Sequence, residues 1–563
     1  MLQSDELRYR FIFLALFLVF VAIAVRLFYW QVVRASDLYV LAQSQYETAL
    51  KVIPRRGEIK TIDGYPIAAN KVSYLVFANP KEIKDKKETV KTLAPILEAD
   101  KASISAQLAL DRFWVPLKHN ADFETKKIIT SLKLSGIGFE EKYTRFYPEA
   151  SLSAHLLGFV GKNDAGEDNG YFGLEGYYDR LLKGKEGYFV SIQDALGKPI
   201  ISKTSKNSTH LDGSNLILSI ERPIQFLVEK KLKEGVETYN AESGMIGIIN
   251  PKTGQVIALA SYPAFDPSKY YKYSEDLFRN PFISDTYEPG STLKPIVMAG
   301  AFEEGLVKPD TECPICDRPL TMGEYEIRTW NNEYRKGSNM VDVIVHSDNI
   351  GMVYVAQKLG VDRMISTLSK FGLGNLTSID SQGEVAPNLK SKNAWYPVDL
   401  ATVGFGQGIS VTPIQLLTAF SAIANNGKMM QPQIVAKVES PKGEVSKIAP
   451  KVLGTPISEK TAKVMTEILV TAVNKGEAKF ARLKGYRIAG KTGTASIPVK
   501  GHYDPNKTIT SFIGFAPADN PRFAMLVILN KPTVAIFGAE TAAPIFFDIA
   551  RDILSYYDIA PSE

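Results

Sequence analysis

The segment Pro289-Gly290-Ser291-Thr292-Leu293-Lys294-Pro295 sets a hydroxyl and an amine one helical turn apart, on neighbouring positions of one face. An alcohol is a poor nucleophile until a base takes its proton, and a partly buried lysine with a lowered pKa can be that base. Pro295 locates the pair: a helix interior rejects proline, whereas the first turn tolerates it. Ser291 is therefore predicted at the very start of a helix, where backbone N–H groups point at developing negative charge. A surface serine and lysine would satisfy the same two positions, but the pattern occurs once in this chain.

Two further pieces follow in order, Ser347-Asp348-Asn349 and Lys491-Thr492-Gly493-Thr494. Together with Ser291-x-x-Lys294 they resemble the signature of penicillin-binding proteins and serine β-lactamases. Each piece is short, and the chain contains decoys. Ser391-Lys392-Asn393 and Ser205-Lys206-Asn207 also read Ser-x-Asn but lie in Lys/Asn-rich loops, and Lys252-Thr253-Gly254 precedes the nucleophile and fits a hairpin turn. Order and context select one set. In it, Ser347 can relay a proton toward a leaving amine, and Asn349 can bind an acyl side chain or hold Lys294 in place. The glycines around Lys491 let an extended peptide approach and add as a strand. The Lys491 cation and the Thr492 and Thr494 hydroxyls could hold a terminal carboxylate, and the N–H groups of Ser291 and Thr494 would form the oxyanion hole.

A chain of 563 residues holding these groups has room for two to four domains. Hydrophobic residues at 45% and charged residues at 23% exclude a collagenous, low-complexity or wholly disordered chain. A net charge of only +5, with no long basic tract, argues against nucleic acid as a partner. From Phe11 to Val33 the sequence is almost uninterruptedly apolar, and as a helix it would span about 34 Å, enough to cross a membrane. Arg8 and Arg10 favour an inside N-terminus, which would put everything after residue 34 outside the cytoplasm. A cleaved signal peptide is the rival reading, but Arg26-Leu27-Phe28-Tyr29-Trp30 reads as a helix end with an interfacial aromatic belt. The charge run Pro80–Glu88 is expected to be a solvated helix face, and the polar stretch near 205–215 a domain boundary. Beyond it, strands are expected near 216–220, 245–261, 485–489, 510–516 and 522–530, with helices near 222–239, 293–304, 350–359, 361–371, 413–425 and 458–475. That order predicts an α/β sandwich with an antiparallel sheet.

Other residues narrow the resemblance. Arg26–Val33, Arg56-Gly57-Glu58-Ile59, Asp63-Gly64, Arg145-Phe146-Tyr147-Pro148, Ala154–Gly158, Gly173-Leu174-Glu175-Gly176, Gly406–Pro413 and Ser511–Pro517 stand in one order. With them the chain resembles the class B penicillin-binding proteins, membrane-anchored peptidoglycan D,D-transpeptidases of division or elongation, over nearly its full length. The resemblance implies a cytoplasmic tail at 1–10, a transmembrane helix at 11–33 and an α+β pedestal (dimerisation-like) domain at 34–215. It further implies a transpeptidase domain at 216–556, built as an α/β penicillin-binding or serine β-lactamase-like fold with a central antiparallel sheet, and a tail at 557–563. Two departures stand out: Lys60-Thr61-Ile62 replaces the usual residues after Arg-Gly-x-Ile, and the middle of the Ser-x-Asn motif is Asp348.

The implied activity is acylation of Ser291 by a D-Ala-D-Ala stem peptide and transfer of the acyl group to an amine, inhibited by β-lactams and needing no cofactor. Septal synthesis is favoured slightly over elongation. The alternatives are a membrane-anchored β-lactam-hydrolysing enzyme, which has no need of the pedestal, and a non-catalytic penicillin-binding sensor or scaffold, which would carry more membrane spans. Nothing in the sequence resembles a glycosyltransferase domain, so the implied partner is a polytopic membrane glycosyltransferase of the FtsW or RodA type. The location implied is the cell (inner) membrane, single-pass, with the catalytic domain outside. Cys313 and Cys316 are open to a local disulfide, free thiols or a metal half-site. His119, His155, His210 and His502 show no metal spacing.

Overall fold

The computed structural model describes residues 2–193, 199–200, 211–499 and 502–562. It divides into two compact units, Met1–Arg55 with Gly184–Asp212, and Arg56–Lys183 with Gly213–Glu563. The expected boundary stretch near 205–215 and the decoy at Ser205–Asn207 fall largely outside the described residues.

The first unit is led by the helix Leu2–Phe28, which continues through a π-helical turn, Tyr29–Val33. Glu6–Val33 makes a span of 28 residues with mean hydropathy 2.9, long and apolar enough to cross a membrane. Its side chains stand exposed on all sides, which only an apolar surrounding would favour. After a second helix, Ala35–Tyr46, the strand Glu47–Val52 pairs antiparallel with Gly187–Gln193.

At the centre of the second unit is a five-stranded sheet of β1 (Ser243–Ile249), β2 (Val256–Tyr262), β3 (Ala489–Val499), β4 (His502–Ala516) and β5 (Phe523–Asn530), in the order β2-β1-β5-β4-β3. Every pairing is antiparallel. Strand β5 is almost wholly apolar because alternate residues enter two different cores. Leu526 and Ile528 pack with the helix Lys294–Glu303, with Asn349–Lys370, which Gly360 (φ 68°) breaks into two helices as expected, and with Pro413–Ala424. Met525, Val527 and Leu529 pack with Arg222–Thr238 and Ala542–Tyr556 on the other face. The helix Pro413–Ala424 is buried along its whole length, too short to span a membrane but suited to the middle of this sandwich. Strand β3 lies at the sheet's edge, with one side free of strand partners among the described residues.

Two expected elements shift. Of the charge run at 80–88 only Lys86, Lys87 and Glu88 lie on an exposed helix face, because Asp85 caps the helix by accepting from Glu88 N at 3.0 Å and the helix begins at Lys86. The strand expected from 485 begins at Ala489, since Gly485 turns the chain at φ 85° and pairing with β4 starts at Ala489.

The regions expected as pedestal (34–215) and transpeptidase domain (216–556) share a second, seven-stranded sheet. The strand Asn215–Leu218 pairs parallel with Ile59–Lys60 and antiparallel with Val435–Glu439, and so stitches the segment after the anchor to the catalytic region. The boundary expected at residue 215 lies inside this strand. The unusual Lys60-Thr61-Ile62 keeps the junction closed, for Ile62 N donates to Ile220 O at 3.1 Å. Beside it, three of the separated motifs converge on one buried carboxylate. Glu175, fully buried, accepts from Arg56 Nε at 2.7 Å and from Arg145 Nε at 2.6 Å, while Arg56 also donates to Asp179 at 2.7 Å. Burial alone would raise the Glu175 carboxyl pKa, but the two guanidinium groups outweigh it and hold it low.

Candidate active site

Gly290–Thr292 form a single 3-10 turn that feeds directly into the helix Lys294–Glu303. Ser291 thus stands in the turn ahead of the helix, and Lys294 opens the helix proper with Pro295 in its first turn. This turn packs against β3 so closely that a Cβ on Gly493 would lie 2.7 Å from Thr292 Cγ2 and 2.3 Å from Ser511 Oγ, which is why glycine occupies that position.

Ser347 links two helices, Met340–Val345 and Asn349–Lys370, and it adopts φ 55°, a left-handed conformation uncommon for serine that is worth of order 1–3 kcal/mol in strain. In that conformation both its carbonyl and its hydroxyl reach Lys294: Nζ donates to Ser347 O at 2.6 Å and to Ser347 Oγ at 3.3 Å, and to Asn349 Oδ1 at 2.8 Å. Ser347 Oγ in turn donates to Ser291 Oγ at 3.0 Å. The lysine therefore connects to the nucleophile through a second serine. Asp348, the atypical middle residue of the motif, caps the following helix by accepting from Ile350 N at 2.8 Å and Gly351 N at 3.2 Å.

Lys294 is completely buried. Burial, helped by the positive charge of Lys491 and opposed by Asp348 and Glu477, lowers its pKa to about 7. Lys491, also buried, donates to Thr492 O at 3.2 Å and Thr492 Oγ1 at 3.0 Å, and Thr492 Oγ1 donates to Glu477 Oε2 at 2.5 Å. Burial lowers the Lys491 pKa while Glu477 opposes the shift. A cleft of about 620 Å³ is lined by Ser291, Ser347, Asn349, Thr492 and Thr494, while the buried Lys294 and Lys491 do not line it themselves. Trp330 and Phe537 form one wall, edge to face at 5.5 Å between ring centres. Asn349 is held by its own amide, which donates to Arg328 O at 2.9 Å.

All the side chains expected at the site come together here. The loop Gly406–Gly408 joins them: Gly290 N donates to Gly406 O at 2.9 Å, and Gln407 lines the cleft. Sequence reasoning missed Glu477, Trp330 and Phe537, which stand alone in the chain with no spacing pattern. Of the decoys, Lys252-Thr253-Gly254 occupies the turn between β1 and β2, and Ser391-Lys392-Asn393 an exposed turn. Cys313 and Cys316 are joined in a buried disulfide, which removes the thiol and metal half-site readings for this pair. No group of three or more His, Cys, Asp and Glu among the described residues is arranged to hold a metal ion.

Residues 244–551 match the penicillin binding protein transpeptidase domain family, and residues 51–218 the penicillin-binding protein dimerisation domain family. Stage V sporulation protein D of Bacillus subtilis (strain 168) is 35% identical, over 99% of this chain and 87% of that protein. Peptidoglycan D,D-transpeptidase FtsI of Escherichia coli (strain K12) is 31% identical, over 94% of this chain and 87% of that protein. Among solved structures, a peptidoglycan synthetase from Bifidobacterium adolescentis superposes with a TM-score of 0.74 at 26% identity, covering 92% of this chain and 98% of that one.

Proposed function

The chain belongs to the penicillin-binding protein transpeptidases, and from that membership we propose that it cross-links peptidoglycan through an acyl-enzyme on Ser291. The observation that carries this reading is the relay from Ser291 Oγ through Ser347 Oγ, 3.0 Å away, to Lys294 Nζ, 3.3 Å further, with an amine brought to about 7 by burial. Hydroxyl hydrogens can rotate, so the Ser291 proton can pass to Ser347 as the Ser347 proton passes to the neutral lysine. Ser291 Oγ then bonds to the carbonyl carbon of the penultimate D-alanine of a stem peptide. The peptide C–N bond breaks, and the departing D-alanine takes the proton back from Lys294 along the same path. In the second half-reaction a neutral amine from a neighbouring strand attacks the ester; it loses a proton through the relay, and Ser291 recovers one as its C–O bond breaks.

The edge position of β3 supports substrate binding as an added strand, with Thr492 and Thr494 facing the cleft and the buried Lys491 supplying positive charge. The backbone N–H groups of Ser291 and Thr494 serve as the oxyanion hole. The apolar span Glu6–Val33 supports a single-pass anchor, with the catalytic region outside the cytoplasm, where its substrate lies. We infer a role in septal synthesis from the Tyr147–Gly161 and Gly406–Pro413 stretches, and a polytopic membrane glycosyltransferase of the FtsW or RodA type as partner because nothing in the sequence resembles a module that would make the strands. A fluorescent fusion found along the side wall instead of at the septum would refute the septal assignment. The catalytic assignment is tested by labelling with a fluorescent penicillin. Wild type is expected to be labelled covalently and Ser291→Ala to remain unlabelled; persistent labelling of that variant would refute the assignment.

A further inference from the structure

Beside the main cleft lies a smaller cavity of about 220 Å³, lined by Tyr287, Glu288, Ser410, Ser496 and Ile497 among others. Ser496 lines both, so the two spaces adjoin along β3. Glu288, three residues ahead of the nucleophile, is half-buried. It accepts from Gly408 N at 3.0 Å and from Tyr503 Oη at 3.1 Å. Among the described residues, no lysine, arginine or histidine forms an ion pair with it, and burial raises its carboxyl pKa. A half-buried carboxylate lacking a cation, in a cavity that adjoins the cleft, makes a site short of positive charge.

From this we infer that the cavity around Glu288 is an acceptor subsite, which binds the ammonium group of the incoming strand beside Ser291. The inference rests on the transpeptidase reading and adds to it a preference for a cationic acceptor. An ammonium carries three donors and no acceptor, which suits a cavity lined by carboxylate and hydroxyl oxygens. The second half-reaction needs an amine in preference to the water that would hydrolyse the ester, and at neutral pH most of that amine is protonated. The ammonium held there must first release one proton to solvent; the neutral amine so placed beside the ester then competes with water, and the bond-making steps remain those of the Ser291–Ser347–Lys294 relay. The competing account is structural: Glu288 would merely pin the loop at Gly408.

The test uses the full chain in detergent, acylated by a thioester analogue of the donor peptide, with an amino acid amine or a neutral alcohol as acceptor. Products of transfer and hydrolysis are then separated by mass. Glu288→Gln keeps the acceptor oxygen for Gly408 N and removes the charge. It is expected to lower the ratio of amine transfer to hydrolysis about tenfold, the scale of a hydrogen bond to a charged group, while acylation and transfer to the alcohol stay unchanged. Equal loss of amine and alcohol transfer would show a structural role and overturn the subsite, as would an unchanged ratio. Failure of the wild type to become acylated would overturn the transpeptidase reading and the subsite together.

Discussion

The burial of Lys294 predicts how acylation depends on pH. With the amine at about 7 instead of 10.5, the neutral fraction is about one tenth at pH 6 and nine tenths at pH 8. If Lys294 is the base, the second-order rate of Ser291 acylation should rise about tenfold between those values, fall about tenfold per unit below pH 6, and level off above pH 8. Any decline at still higher pH belongs to Lys491, whose ammonium must stay charged to attract a carboxylate. The shift from 10.5 to about 7 corresponds to about 5 kcal/mol by which the site disfavours the ammonium. Its sign for stability follows. Between about pH 7 and 10.5 the unfolded chain holds a proton on this amine that the folded chain has released, so the fold gains stability as pH rises through that window and gains nothing from this group below it. The assay is single-turnover labelling by a fluorescent penicillin at limiting concentration, across pH 5.5 to 9.5 on the order of half-unit steps. A flat profile between pH 6 and 8, or a rise centred near the ordinary lysine value, would refute the assignment of Lys294 as a base activated by burial.

Glu175→Ala leaves Arg145 buried without a carboxylate and Arg56 with Asp179 alone, and should lower unfolding free energy by about 3–5 kcal/mol, read as a reduced melting temperature; a change within experimental error would show that Arg145 finds another partner. Gly406→Ala would drive a Cβ to 2.0 Å from Gly290 O at a position with φ 86°, so penicillin labelling should fall at least as far as for a cleft-wall substitution such as Trp330→Ala, and normal labelling would contradict the close packing described. The acyl-enzyme should outlast the assay, and rapid multiple turnover of a chromogenic cephalosporin would favour the hydrolase alternative. A chain carrying an unrelated membrane anchor should still co-purify with the glycosyltransferase, because the pedestal offers the larger surface; complete loss would assign the contact to the native anchor.

What the sequence revealed about the site depended on chemistry that fixes spacing. Ser291 and Lys294 are legible because a hydroxyl and its base must share a helix turn, and Lys491–Thr494 because a strand that receives a peptide needs small residues in a run. The connection between them was less so. Lys294 reaches Ser291 through Ser347, and this depends on the left-handed turn at Ser347, which no residue type there announces. Glu477 and Glu288 are single acidic residues brought in by tertiary packing. The antiparallel sheet and its helices were readable from long apolar runs such as Phe523–Asn530, whereas the shared sheet was not, since Ile59–Lys60 is too short to declare a partner more than a hundred residues away. The cysteine pair left three readings open because spacing alone does not separate a disulfide from thiols or half a metal site.

The stitching of Ile59–Lys60, Asn215–Leu218 and Val435–Glu439 into one sheet bears on how such a chain can be inherited. A gene exchanged with a relative at the seam near residue 215 would bring together strands that had drifted apart in two lineages, with the middle strand matched to only one neighbour. Crossovers that carry all three strands from one parent preserve the join. Mosaic alleles of this protein should therefore have breakpoints that spare that trio, so that the segment after the anchor and the catalytic region descend as a linked pair.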